Sequence, residues 1–362
     1  MAGNRTLNKA KAAKQDEFYT QLTDIEKEMR HYKDFFNGKV VFCNCDDPFE
    51  SNFFKYFAMN FNSLGLKKLI ATCYATSPII YTQLNVFEEN DESILTEDED
   101  TKNPYKIEIT EVTDENQDGR VDLADVEYLL RNRKNTLTLL EGDGDFRSEE
   151  CIELLKQSDI VVTNPPFSLF REYVAQLINY DKKFIIIGTI NAIHYKEIFP
   201  LIKDNKLWIG YCNGAKTYEV APNYSGKISF EKNGTRYVKM GNTFWYTNVD
   251  IEKRHENLVL YKSYDPDEYI KYDNYDAIHI DKIASIPHDY YGDMGVPDGF
   301  LEQYNPEQFE IIGLGNGDLA KEIGITKNYR GRTDLAYTKD GKQKCPYSRI
   351  IVRRKVVENH ED

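Results

Sequence analysis

Four short runs constrain this chain more than any other feature. Residues 39–45 (KVVFCNC), 67–74 (KKLIATCY), 159–163 (DIVVT) and 183–188 (KFIIIG) are apolar almost throughout and too short for helices. Such runs predict strands buried on both faces. Between them lie segments with helical spacing. Phe49, Phe53, Phe54, Phe57 and Phe61 follow Pro48, which suits a first helical position, and Gly65 closes that stretch. Residues 148–157 form a second such segment, and residues 169–180 place Leu169, Phe170, Tyr173, Val174 and Leu177 on one face of a third. A polar helix is also expected from about residue 20 to Phe36, stopped by Asn37-Gly38. Strands alternating with helices predict an α/β fold with a parallel sheet covered on both faces. Ligands in such folds sit at the carboxyl ends of the strands.

The unusual residues lie at those ends. The run 159–163 leads straight into Asn164-Pro165-Pro166-Phe167. Two successive prolines cannot continue a strand's hydrogen-bond ladder, and they fix φ, so the loop leaving the strand is rigid. An amine conjugated to a purine or pyrimidine is a poor nucleophile, because its lone pair is delocalised into the ring. Two acceptors aimed at its N–H bonds, the Asn164 side chain and the Pro165 carbonyl, would favour a pyramidal nitrogen with an available lone pair. Phe167 would offer a flat face for the base. Glu141-Gly142-Asp143-Gly144-Asp145-Phe146 ends another strand, and Asp46-Asp47 follows the first.

The stretch 164–167 resembles motif IV of the S-adenosylmethionine-dependent amino-methyltransferases, (D/N/S)PP(Y/F/W). Asp145-Phe146 resembles the acidic and aromatic pair that receives the cofactor's adenine. Phe18-Tyr19-Thr20 resembles the N-terminal motif that lies over the cofactor's methionine end. The longer resemblance is to the EcoRI-type adenine-specific DNA methyltransferases. It is carried by DEFYT at 16–20, VVFCNCDDP at 40–48, DFRSEECIELLK at 145–156, DIVVTNPPFSLFREYV at 159–174, YNPEQFEIIG at 304–313 and YSRIIVRRK at 347–355. It implies a Rossmann-like, seven-stranded methyltransferase sheet, S-adenosylmethionine as cofactor, and methyl transfer to N6 of an adenine rotated out of duplex DNA, in a restriction-modification system or as an orphan enzyme. Asn164, Pro165, Pro166 and Phe167 are then catalytic, and Phe18, Tyr19, Thr20, Asp46, Asp47, Asp145 and Phe146 line the cofactor pocket. Two departures stand out. Residues 43–48 (CNCDDP) lack the usual Gly-rich loop, and the second strand ends at Ala71-Thr72-Cys73-Tyr74 with no acid for the ribose. A competing glycine run, Gly313 to Gly317, would make a permuted cofactor loop or a loop of the recognition region. A release-factor glutamine methyltransferase and a non-catalytic DNA-binding protein of the same fold are the alternatives.

A formal net charge of −14 argues at first against a nucleic-acid partner, since Lys and Arg on phosphates dominate such affinity. The acidity is local, however. Residues 88–127 hold 16 Asp and Glu against 3 Lys and Arg, leaving the rest of the chain at −1. Residues 327–355 hold 10 Lys and Arg against Asp334 and Asp340, and Arg5, Lys9, Lys11 and Lys14 make the start basic. Lys327, Arg330, Arg332, Arg349, Arg353 and Arg354, interleaved with Tyr329, Tyr337 and Tyr347, are the expected contacts to double-stranded DNA. A solvated basic strand pair is the plainer alternative.

Within the acidic segment, residues 114–125 fit a calcium loop, with Asp114, Asn116, Asp118, the Arg120 carbonyl and Asp125 as ligands and Gly119 at the turn. The helix expected at 123–131 follows, while 105–112 alternates like a strand. A solvated acidic turn is the other reading. The expected organisation is a basic arm at 1–15, a methyltransferase domain at 16–250 interrupted by the acidic insertion at 88–127, and a target-recognition region at 251–362. A monomer is expected. Six cysteines without a C-x-x-C pair, no secretory start and no apolar run of membrane length imply a cytoplasmic protein with no membrane partner.

Overall fold

The computed structural model describes residues 18–45, 51–72, 104–114, 119–131, 136–220 and 226–356. It divides into two compact units, residues 1–192 with 210–249, and residues 193–209 with 250–362. Among the described residues, no helix is long and apolar enough to cross a membrane.

The first unit is built on one large mixed sheet. Its elements are β1 (Phe18–Thr20), α1 (Leu22–Met29), a 3₁₀ segment (Arg30–Phe36), β2 (Val40–Cys43), α2 (Asn52–Met59), β3 (Lys68–Thr72), β4 (Tyr105–Ile109), α3 (Leu123–Arg131), β5 (Thr136–Leu139), α4 (Glu149–Gln157), β6 (Ile160–Thr163), α5 (Phe170–Asn179) and β7 (Lys183–Thr189). The chain then enters the second unit through α6 (Phe199–Lys203) and β8 (Trp208–Ile209). It returns with β9 (Gly214–Val220), β10 (Phe230–Lys232) and β11 (Thr235–Thr247). The strand order is β1-β9-β11-β7-β6-β2-β3-β4-β5, with β10 paired to β11. The central strands β7, β6, β2 and β3 are parallel. The flanking pairs are antiparallel: β3–β4 and β4–β5 on one side, β7–β11, β11–β9 and β9–β1 on the other.

All four residues of β2 and of β6 are buried, as uninterrupted apolar runs require. On α2, Phe53, Phe54, Tyr56, Phe57 and Ala58 are buried. The Phe57 ring meets Phe36 edge-on at 5.0 Å, and Phe53 meets Trp245 at 5.9 Å. The phenylalanine stripe is therefore core, each ring contributing about 1.5–3 kcal/mol by burial. Its helix begins at Asn52 with Ser51 as N-cap, whose hydroxyl accepts from the Phe53 and Phe54 N–H groups at 3.1 and 3.4 Å. Pro48 lies outside the described residues. On α1, Glu28 is fully buried and fully satisfied, accepting from the Tyr32 hydroxyl at 2.8 Å and from the Tyr211 and Cys212 N–H groups at 2.9 and 2.6 Å. That carboxylate ties α1 to the segment where the chain re-enters the unit. Residues 105–109, inside the stretch read as an acidic insertion, are a strand of the main sheet, with Tyr105, Ile107 and Ile109 buried.

The second unit holds a four-stranded sheet in the order β12 (Ile278–His279), β13 (Asp293–Pro297), β17 (Arg349–Arg354), β14 (Phe309–Leu314), together with α7 (Gly317–Glu322) and the hairpin β15 (Tyr337–Lys339) to β16 (Lys342–Lys344). Segment 193–209 was not expected to belong with the later residues. Arg254 shows how it does: the guanidinium stacks 3.8 Å from the Trp208 ring centroid and donates to Asn205 Oδ1 at 2.9 Å. The glycine run 313–317 leaves β14, which is antiparallel to β17. A Cβ on Gly313 would fall 2.6 Å from Ile323, and one on Gly315 would fall 2.5 Å from Leu335. These glycines admit close packing in an antiparallel sheet, so the permuted cofactor loop is corrected.

Candidate active site at the carboxyl edge of the parallel strands

Asn44, Thr72 and Thr163 end three adjacent strands and are all buried. The register pairs Cys43 with Ala71 and Phe42 with Val161, which brings Asn44 level with Thr72 on one side and with Thr163 on the other. The Thr72 hydroxyl donates to Asn44 Oδ1 at 3.1 Å, and the Thr163 hydroxyl donates to the Asn44 carbonyl oxygen. The next residue, Cys45, takes a left-handed backbone with φ of 68° and opens the loop toward Asp46 and Asp47, which lie outside the described residues.

Asn164 follows Thr163 directly. Pro165 is buried, while Asn164, Pro166 and Phe167 are partly exposed. Pro166, at φ −55° and ψ 122°, turns the chain into a 3₁₀ segment over Phe167–Leu169, closed by the Leu169 N–H donating to the Pro166 carbonyl at 2.9 Å. Behind it Phe170 packs on Gly188 and Tyr246, its ring 5.1 Å from that of Tyr246, whose hydroxyl donates to the Thr189 carbonyl at 2.7 Å. The loop is thus rigid at both ends.

The turn at 143–147 is fixed to the same elements. Asp145 accepts from the Arg147 N–H and Nε at 2.8 Å and from a terminal guanidinium nitrogen at 2.6 Å. Burial raises the affinity of that carboxyl for its proton, but the bonds and charge of Arg147 outweigh it and hold the group below the ordinary Asp value. Arg147 also pairs with Glu172 of α5 at 3.1 Å, and Gln176 Nε2 donates to the Phe146 carbonyl at 2.8 Å. The Phe146 ring is buried, 4.9 Å edge-on to Tyr173 and 5.1 Å below the Arg147 guanidinium. The ring expected to pack on an adenine thus lies against Tyr173 and under Arg147.

Phe18–Thr20 forms β1, with Thr20 opposite Tyr218 of β9 and its carbonyl accepting from Asn52 Nδ2 at 2.8 Å. Among the described residues, the buried Thr20 hydroxyl and Gln21 Nε2 find no hydrogen-bond partner.

Comparison with known proteins decides the family. The model of the EcoRI adenine-specific methyltransferases matches residues 6–355. The chain belongs to this family. It is 45% identical to the Type II methyltransferase M.EcoRI of Escherichia coli over 370 residues, covering 98% of each chain. It is 35% identical to M.MgeORF184P of Mycoplasma genitalium, over 97% of this chain and 99% of that one. It is also 35% identical to M.MpnI of Mycoplasma pneumoniae, over 96% and 98%. No solved structure matches. Membership in an adenine-specific family sets aside a protein glutamine substrate.

The six basic residues singled out in this EcoRI-family chain fall into two groups. Lys327, Arg330 and Arg332 are exposed on a loop wound around Asn328, whose Oδ1 accepts from the Arg330 N–H at 2.8 Å and the Arg332 N–H at 3.3 Å. Arg349, Arg353 and Arg354 lie on β17 and are engaged within the fold. Arg349 is buried and donates to the Tyr347 and Ser348 carbonyls, Arg353 grips Asp293 at 2.8 and 2.7 Å, and Arg354 lies 5.0 Å over Tyr291. Arg349 is thus enclosed in the fold, whereas Arg353 is exposed and Arg354 half-buried beside their partners. The hairpin β15–β16 instead carries exposed Lys339, Lys342 and Lys344 beside the loop in sequence.

In the expected calcium loop, Asp114 Oδ2 accepts from the Gly119 N–H at 2.7 Å, and the buried Asp125 accepts from the Asp122 N–H at 2.9 Å. Arg120 is exposed, whereas Asn116 and Asp118 lie outside the described residues. Among the described residues, no cluster of three metal-ligating side chains occurs. The two acids act here as turn and helix caps.

Sequence reasoning missed the Asn44–Thr72–Thr163 row. Its only local signal is a polar residue closing each apolar run.

Proposed function

We propose that this protein transfers a methyl group from S-adenosylmethionine to N6 of an adenine rotated out of double-stranded DNA, as the modification partner of a Type II restriction system. The observation that carries the reading is Asn164-Pro165-Pro166-Phe167 leaving the central parallel strand β6, in a family of adenine-specific methyltransferases. In the proposed seven-stranded core, β4, β3, β2, β6, β7, β11 and β9 are the methyltransferase strands, with β4 and β11 running antiparallel to the others. The first unit binds cofactor and performs transfer, and the second reads the DNA sequence. The working unit is a monomer, every residue assigned to the site being drawn from one chain.

The residues present fit the cofactor. Asp145, ionised over the neutral range, suits an adenine amine, and the orphaned Thr20 hydroxyl and Gln21 amide suit the methionine end, with Asp46 and Asp47 following the β2 edge. When bound, S-adenosylmethionine supplies an electrophilic methyl carbon. Asn164 Oδ1 and the Pro165 carbonyl oxygen hold the two N6 protons, so the nitrogen lone pair turns out of conjugation with the ring. Phe167 stacks on the extruded base, offsetting the few kcal/mol needed to unstack it. The rigid proline loop fixes the acceptors before the base arrives, so little reorganisation is needed in the transition state. Exposed Lys327, Arg330 and Arg332 contact the DNA.

The test is to incubate unmodified plasmid with protein and S-adenosylmethionine and map modified bases by single-molecule sequencing. N6-methyladenine at one recurring short sequence is expected. Methylation of cytosine only, or of no base, contradicts the reading.

A further inference from the structure

We propose that Thr163 is a positioning residue for methyl transfer, its hydroxyl locking the catalytic loop to the end of β2, from which the cofactor loop departs. The inference rests on the function proposed above. Parallel strands forming a cleft at their carboxyl ends must diverge there, and a diverging pair loses its backbone ladder. The β2–β6 register is carried by Val41–Ile160 and Phe42–Val161. Two residues further on, the bond from Thr163 Oγ1 to the Asn44 carbonyl takes over the connection between these strands.

This bond belongs to a buried polar chain. Asn44 is held from its other side by the Thr72 hydroxyl. Cys151, beside Thr72, donates its thiol to the Gly144 carbonyl at 3.6 Å. Gly144 precedes Asp145, Asn44 lies two positions before Asp46, and Thr163 precedes Asn164. Asn44 and Thr163 therefore stand within two residues of groups assigned to the cofactor and to the target amine. All side chains in the chain are buried, with Thr72, Thr163 and Cys151 fully enclosed. A hydroxyl needed only to close the sheet could sit anywhere along β6, but this one sits where a small shift would move the Asn164 acceptor relative to the methyl donor. Displacements of about 1 Å in a reacting geometry cost roughly a hundredfold in rate.

Three variants of the full chain test the proposal: Thr163→Val, which keeps the shape and loses the donor, Thr163→Ala, and Thr163→Ser, which keeps the donor. The measurements are single-turnover methyl transfer at saturating cofactor and duplex, the Kd for S-adenosylmethionine, and the Tm. The expected result is a loss of about tenfold or more in rate for Thr163→Val and Thr163→Ala, a cofactor Kd within about threefold of the parent, and a rate within about twofold for Thr163→Ser. Transfer by Thr163→Val within twofold of the parent overturns the proposal, as does an equal loss in Thr163→Ser. Failure of both Thr163→Val and Thr163→Ala to fold makes the hydroxyl a stability element and also overturns it. A parent protein that transfers no methyl group fails the functional reading instead, so the two failures are separable.

Discussion

Removing the Asn164 carboxamide tests the chemistry most directly. Asn164→Ala is expected to cut methyl incorporation by at least about a hundredfold, the scale for losing a transition-state acceptor or donor, while the calorimetric Kd for S-adenosylmethionine stays within about threefold. A second residue-scale prediction concerns pH. Burial, reinforced by the Arg349 guanidinium, pushes the His279 imidazole from 6.5 to about 4, although Asp281 opposes the shift. Its Nδ1 pairs with the Tyr272 hydroxyl at 2.9 Å, and its ring stacks on Tyr337 at 4.6 Å. Between those two values the unfolded chain binds more protons than the fold, so the neutral ring's contribution is complete above pH 6.5 and is lost as the pH falls toward 4. His279→Gln should flatten that part of the profile, by an amount on the order of a few kcal/mol. Urea unfolding of both proteins at pH 7.5 and 4.5 measures it, and equal pH sensitivity in the two would contradict the assignment. At this scale, Asn164 to Phe167 were legible because four consecutive residues carry their own chemistry. The polar row was not, since Asn44, Thr72 and Thr163 become neighbours only through strand register. The packing of Phe146 against Tyr173 was not legible, because it depends on a helix nearly thirty residues away.

Helices and strands show the same division between local and distant causes. Helix α3 occupies 123–131 as its spacing demanded, and α4 starts after the Ser148 cap, whose hydroxyl accepts from the Cys151 N–H at 3.3 Å. Strand β4 was recognised by its alternation, yet its place in the main sheet was hidden by the surrounding acids. Lys68 pairs with Glu108 at 2.9 Å, so one of those acids serves the sheet rather than interrupting it. The junction of β7 with α5 gives the element-scale prediction. A Cβ on Gly188 would fall 2.6 Å from the Phe170 ring. Gly188→Ala should therefore cost about 1–3 kcal/mol in overpacking and also slow transfer, because Phe170 supports the helix that continues the proline loop. Thermal melting and initial rates read the two effects, and a rate unchanged beside a lowered Tm would uncouple the loop from this support.

For the whole molecule, net charge was a poor guide to partners, because −13 of the −14 resides in residues 88–127. The exposed cations of loop 326–334 and the internally engaged ones of β17 predict different behaviour. Arg330→Ala should weaken duplex binding and reduce the slope of log K against log salt by about one phosphate contact. Arg353→Ala should leave that slope unchanged and lower the Tm, since Arg353 is held by Asp293. Fluorescence anisotropy across a salt series separates them, and an equal slope change in both would undo the sorting. The chain also passes into the second unit twice, at 193–209 and again from 250, with Arg254 binding the early passage to the later one through Trp208 and Asn205. A gene fusion cut near codon 250 would leave behind part of the unit it meant to replace. Recombination that exchanges the whole second unit, the proposed reader of sequence, therefore requires three junctions in one event, a barrier that favours change by point substitution over wholesale exchange.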